Sequence, residues 1–143
     1  MKILVINGPN LNMLGVREPE KYGNLSLGQI NGIIAQMADE MGMEVDFFQS
    51  NCEGEIVTAI HNARGKYDGI ILNAGAYTHY SYAIADAIPI AGIPAVEVHL
   101  TNIHAREEFR QKSVIAPVCV GQISGLGVDS YILALEHLKC KKY

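Results

Sequence analysis

Short apolar runs alternate along the chain with stretches in which apolar residues recur every three or four positions. The runs are Ile3-Leu4-Val5-Ile6, Val45 to Phe48, Gly69-Ile70-Ile71-Leu72, Ala95-Val96-Glu97-Val98 and Val118-Cys119-Val120. The helical patterns are Ile30 to Met41, Ile56 to Ala63, Ser81 to Ile88, Glu107 to Gln111 and Tyr131 to Leu138. A strand that is apolar at successive positions is buried on both faces, which is the condition of a parallel strand covered by helices. Five such strand-helix units predict a three-layer α/β fold: a five-stranded parallel sheet with right-handed crossovers and helices on both faces. Five strands of this kind most often take the flavodoxin-like order 2-1-3-4-5. Ligands then bind beyond the strand C-terminal ends, at the switch between strands 1 and 3.

Polar chemistry gathers on that rim. Asn7, Asn10, Arg17 and Tyr22 follow strand 1, Asn73 and His79 follow strand 3, and His99, Thr101, Asn102 and His104 follow strand 4. The opposite turns, Met41-Gly42-Met43, Lys66-Tyr67-Asp68 and Gly92-Ile93-Pro94, carry ordinary helix-stop and turn residues. The segment after strand 1 is unusually long, since the next helical pattern begins only near Leu25-Ser26-Leu27. Loops of that length are functional or disordered. Leu11, Met13, Leu14 and Val16 would gain nothing in a solvated tail, so the segment reads as an ordered or part-time-ordered lid over residues 11–24.

Composition narrows the class. With 143 residues and 49% hydrophobic content the chain suits one catalytic domain spanning 1–143 with a sizeable core. The net charge of −4 and scattered basic residues give no nucleic-acid footprint. No run approaches the ~20 apolar residues of a membrane span, and the opening lacks a signal peptide's cleavage site, so a cytoplasmic protein is expected. Cys52, Cys119 and Cys140 show no paired spacing and read as reduced thiols, mostly packing.

His99 at a strand end is either a satisfied structural histidine or a general acid. Glu97, two residues earlier on the same side of the strand, is placed to fix its tautomer and favour its charged form. Tyr22 either packs or, beside Arg17 and possible help from Arg106 or Arg110, has the surroundings that favour a phenolate. Arg106 and Arg110 fall at i and i+4, on one face if helical, and they either serve the rim or bridge to Glu107 and Glu108. Gly121 to Gly127 is either a weak anion cradle or a chain reversal at a helix start. No nucleotide-binding loop is present, His79, His99 and His104 match no standard metal spacing, and no lysine sits in an apolar run suited to imine chemistry. No metal or cofactor is expected.

Four blocks together carry a family resemblance. They are Asn7-Gly8-Pro9-Asn10-Leu11 with Arg17-Glu18-Pro19 and Tyr22-Gly23; Gln49-Ser50-Asn51 with Glu53-Gly54-Glu55; Asn73 to His79; and Glu97 to Arg110. Over its full length the chain resembles the type II 3-dehydroquinate dehydratases. The resemblance implies anti elimination of water from 3-dehydroquinate through an enolate, without cofactor, metal or imine. Tyr22, deprotonated with help from Arg17 and Arg106, would be the base, and His99, oriented by Glu97, the acid. Asn10 would hold a water against the enolate oxygen. Asn73, His79, Leu100, Thr101 and Arg110 would hold the substrate, and Asp86 would reach a neighbouring subunit's site in trimers stacked as a dodecamer.

The chain departs from the family pattern at Cys52, where many members have His, at Ala85, which replaces a frequent Arg, and at the bulky Tyr80 and Tyr82. These bear on assembly more than on chemistry. The alternative is a flavodoxin-like module binding a small molecule or nucleotide on the same rim. It leaves Arg17, Tyr22 and His99 together unexplained and lacks a Ser/Thr-rich phosphate cradle.

Overall fold

The continuous apolar strands are explained by a sheet packed on both sides. In the computed structural model, which describes residues 1–16, 18–141 and 143, five parallel strands lie in the order β2-β1-β3-β4-β5. They are β1 (Lys2–Asn7), β2 (Glu44–Gln49), β3 (Gly69–Asn73), β4 (Ala95–His99) and β5 (Gly121–Ser124). Successive side chains of β1 serve opposite faces. Ile3 and Val5 pack with Ile30, Ile34, Leu135 and Leu138 of α2 (Leu27–Glu40) and α5 (Asp129–Cys140). Leu4 and Ile6 pack with Ile56, Ile60, Ile84 and Ile88 of α3 (Glu53–Ala63) and α4 (Tyr82–Ala91). The three-layer, flavodoxin-like architecture expected from the pattern is thus present.

The switch point depends on one glycine. Gly8 N donates to Asn73 O at 2.7 Å, and a Cβ at Gly8 would stand 2.6 Å from Ala74 O. No side chain can be admitted there without parting the ends of β1 and β3.

Four expectations need correction. The fifth strand is Gly121–Ser124, directly after the apolar run and three residues later than expected, whereas Ala116–Val118 form a 3-10 turn with Pro117 near its start. As an edge strand β5 is open on one side and needs no continuous apolar sequence, so hydrophobicity misplaces it. The stretch Glu107 to Gln111 is not an α-helix. Two 3-10 turns, Ile103–Ala105 and Glu108–Arg110, connect β4 onward, and Arg106 between them is extended. The segment has no apolar stripe to bury, which leaves short local turns as its solution. Half of the Gly-rich run is therefore strand, and only Gly125 and Gly127, both at positive φ, make the turn. Cys119 is half-buried, but Cys52 and Cys140 are exposed, so packing accounts for one thiol and not for most.

The segment after β1 is compact. A 3-10 turn, Leu11–Met13, and a four-residue helix, α1 (Pro19–Tyr22), interrupt it. Leu11 and Leu14 enter the core, which anchors the start of the predicted lid, while Val16 is 75% exposed. The segment ends at a capping box: Ser26 Oγ accepts from Gln29 N at 3.2 Å and Ser26 N donates to Gln29 Oε1 at 2.9 Å.

Candidate active site

The ends of β1, β3 and β4 enclose a cleft of about 140 Å³. Asn10, Tyr22, Asn73, His79, His99, Leu100, Thr101, Arg106 and Arg110 all line it, so residues scattered over a hundred positions of sequence converge. Glu97 lies behind His99. Asp86 is exposed on α4 and is not part of this chain's cleft. Arg17 lies outside the described residues.

His99 and Glu97 form the pair their spacing suggested. His99 Nε2 lies 2.8 Å from Glu97 Oε2, and both side chains are buried. Glu97 is 0% exposed. Burial pushes its proton affinity up, but hydrogen bonds from His99, Ser113 and Gln122 outweigh it and hold the carboxyl below its ordinary value. An ionised carboxylate can only accept, so Nε2 carries the hydrogen and Nδ1 is the nitrogen left for the cleft. Ser113 Oγ donates to Glu97 Oε1 at 2.5 Å, and Gln122 Nε2 donates to Oε2. These two supporting donors escaped sequence reasoning. Gln122 is the register partner of Glu97 across β4 and β5, a relation hidden once β5 is placed three residues too early.

Tyr22 is held from the other side of the cleft. Arg106 Nη1 donates to its hydroxyl at 2.7 Å, and the guanidinium carbon lies 5.4 Å from its ring centroid. Among the described residues, Arg106 Nε is buried without a hydrogen-bond partner. The two arginines reach the cleft from an extended residue and from the 3-10 turn that follows it, not from one helical face. Arg110 also makes the bridge weighed against it in the sequence, Nε to Glu107 Oε2 at 2.5 Å, and that cation holds the Glu107 carboxyl below its ordinary value.

His79 Nδ1 donates to Lys112 O at 2.7 Å, leaving Nε2 as an acceptor. Burial, together with the charges of His99 and Arg110, lowers its proton affinity against the opposing pull of the Lys112 carbonyl. A neutral acceptor suits a ligand hydroxyl. Asn10 is one of two described non-glycine residues at positive φ, and its backbone N donates to Asn51 Oδ1 at 3.0 Å. Gln49 Nε2 braces the same loop through Gly8 O at 3.1 Å. The loop after β4 is braced in turn, because His99 O and Leu100 O accept from Gly125 N and Gly127 N.

A larger groove of about 740 Å³ runs along β2 and α3, and both of its carboxylates are engaged within the fold. Asp46 accepts from Tyr67 at 2.7 Å and pairs with Lys2 at 2.9 Å, and Glu55 accepts from Ser50 at 2.5 Å. The smaller cleft is the one that brings Tyr22, His99, Arg106 and Arg110 together. Among the described residues, no three His, Cys, Asp or Glu gather as a metal site, and no helix is long and apolar enough to cross a membrane.

Comparison with known proteins agrees in sequence and in structure. The Dehydroquinase class II family matches residues 1–139. A 3-dehydroquinate dehydratase of Caldicellulosiruptor bescii is 63% identical over 139 residues, covering 96% of each protein. One from Clostridium perfringens is 61% identical over 142 residues, covering 99% of each. The type II dehydroquinase structure from Butyrivibrio crossotus superposes with a TM-score of 0.94 at 50% identity, covering 96% of this chain and 97% of that one. That from Propionibacterium acnes gives 0.95 at 40% identity, covering 98% and 97%. With the match running through every strand whose end builds the cleft, the chain belongs to the class II dehydroquinase family.

Proposed function

We propose that the chain performs the family's reaction, dehydration of 3-dehydroquinate to 3-dehydroshikimate in the shikimate pathway or in quinate catabolism, by anti elimination with Tyr22 as base and His99 as acid. The activity follows from the family and from relatives of about 60% identity bearing that name. The assignment of roles is carried by one observation. A tyrosine hydroxyl bonded to a guanidinium and a histidine tied to a buried carboxylate face the same small cleft from different elements.

The geometry suggests how each step proceeds. Arg106 donates to the oxygen that must bear charge when Tyr22 gives up its proton, with Arg17 assigned to assist. The phenolate removes a proton beside the substrate ketone, and the enolate oxygen is stabilised by a water held at Asn10, a preorganised donor of the kind that supplies large catalytic terms. His99, protonated at Nδ1 and bound to Glu97 through Nε2, delivers a proton to the departing hydroxyl. Asn73, His79 and the Leu100–Thr101 segment hold ring hydroxyls and carboxylate, and Arg110 supplies the cation that an anionic substrate needs from an acidic chain.

The reading extends beyond one cleft. Residues 1–143 act as one catalytic unit whose lid, about 11–24, closes on substrate, in a cytoplasmic enzyme needing no cofactor. Three such chains associate and four trimers stack, with Asp86 entering a neighbour's site. Its exposure on α4, outside its own cleft, supports that placement. Purified protein mixed with 3-dehydroquinate is expected to raise the ultraviolet absorbance of a conjugated enone, and unchanged absorbance from folded protein would overturn the reading. Tyr22→Phe and His99→Ala should each lower kcat by ~10²–10⁴ while leaving the circular dichroism intact. Near-wild-type turnover removes the role of that residue.

A further inference from the structure

Tyr131, near the start of α5, has a polar arrangement that its packing does not require. It is 0% exposed, within the cluster between α5 and the sheet. Phenylalanine would fill that space without the cost of burying a hydroxyl. Here the hydroxyl is engaged on both sides: it donates to Asn7 Oδ1 at 2.6 Å and accepts from Asn73 Nδ2 at 3.0 Å. Burial holds the phenol well above its ordinary range, so it stays a neutral donor at any working pH.

This chain of bonds has a direction. The single hydroxyl hydrogen goes to Asn7, so the oxygen can only accept, and the Asn73 amide is fixed with its nitrogen toward Tyr131. The other end is fixed as well, since Asn73 Oδ1 accepts from Gly75 N at 3.2 Å. One amide hydrogen and one carbonyl lone pair remain, the complement of a ring hydroxyl that both donates and accepts. Asn73 lines the cleft and Tyr131 does not. We infer that Tyr131 is a positioning residue whose hydroxyl sets the orientation in which the Asn73 amide holds a hydroxyl of the substrate ring. The same bonds join the ends of β1 and β3 to α5, tying the switch point to an element on the far side of the sheet.

The kinetic test rests on the dehydratase reading; a spectroscopic test does not. In Tyr131→Phe the KM for 3-dehydroquinate should rise about tenfold, with kcat within about twofold, as for a contact made equally to ground and transition states. In an Asn73→Ala background the same substitution should leave KM where Asn73→Ala alone puts it. An unmoved KM, a loss confined to kcat, or an equal KM rise in both backgrounds would overturn the inference. Independently of any variant, NMR of the wild-type protein without substrate should reveal a slowly exchanging Tyr131 hydroxyl proton with a cross-peak to the Asn73 side-chain amide. A hydroxyl exchanging too fast to observe would also overturn it. Wild-type protein without turnover would instead refute the dehydratase reading, leaving the NMR result to judge Tyr131.

Discussion

Glu97 accepts hydrogen bonds from three side chains inside a sealed strand, and that makes it a pH-sensitive strut. Its carboxyl lies below the ordinary 4.5, so as pH falls the unfolded chain takes up the proton first. The stability this gives is present above that ordinary value and is lost as pH falls through the folded one. Glu97→Gln should cost ~3 kcal/mol near neutrality, in urea unfolding, because it leaves buried donors without an anion. The gap between variant and wild type should narrow below about pH 4.5, and a constant gap from about pH 6 to pH 3 would remove the charge argument. Gln122 sits exposed at the sheet edge, so Gln122→Met should fold normally yet slow turnover several-fold, read as kcat. At this scale the sequence discloses neighbours along one strand and hides those across strands. Glu97 and His99 are legible two positions apart. Gln122, twenty-five positions from Glu97, becomes visible only with the correct register, and Ser113 gives no pattern at all.

Elements differ in how openly they announce themselves. Strands β1 and β3 were legible because each lies inside the sheet and writes an uninterrupted apolar run, β4 because only Glu97 breaks its run, and the edge strand β2 because Val45, Phe47 and Phe48 flank Asp46. The edge strand β5 and the segment of 3-10 turns holding Arg106 between them and Arg110 at its end were not, since neither needs a periodic apolar face. The segment after β1 was legible as chemistry out of place, but its shape was not. Leu11 and Leu14 belong to the core, and Tyr22, the proposed base, sits on a helix of four residues that has no stability of its own. Limited proteolysis between Leu14 and Gly23 should therefore slow when a substrate-like inhibitor is bound, whereas cleavage unaffected by the inhibitor argues against closure. Gly8→Ala probes the other side of the cleft. A methyl group 2.6 Å from Ala74 O must push β1 and β3 apart, at a cost of about 3 kcal/mol in denaturant unfolding. A loss under half that would mean the switch point yields freely.

Across the whole molecule, catalytic geometry is distributed rather than local. The apolar strands close two packed layers, and the polar ends of three of them meet only when the sheet is complete. Asp86 carries this beyond one chain. If it serves a neighbour's cleft, mixing Asp86→Ala subunits with Tyr22→Phe subunits should restore part of the activity that each preparation lacks, since some clefts then draw an intact Tyr22 and an intact Asp86 from different chains. Mixtures no more active than their components would count against a shared site. The bond between Arg106 and Tyr22, spanning 84 positions, has a further consequence. The cation that would favour charge on the proposed base also fastens the segment bearing it. Moving that segment away would part the base from Arg106 in the same motion. Selectivity would then lie less in the contour of the cleft than in timing: a passing ketone unable to keep the segment down meets an idle tyrosine, and bystander metabolites are spared enolisation.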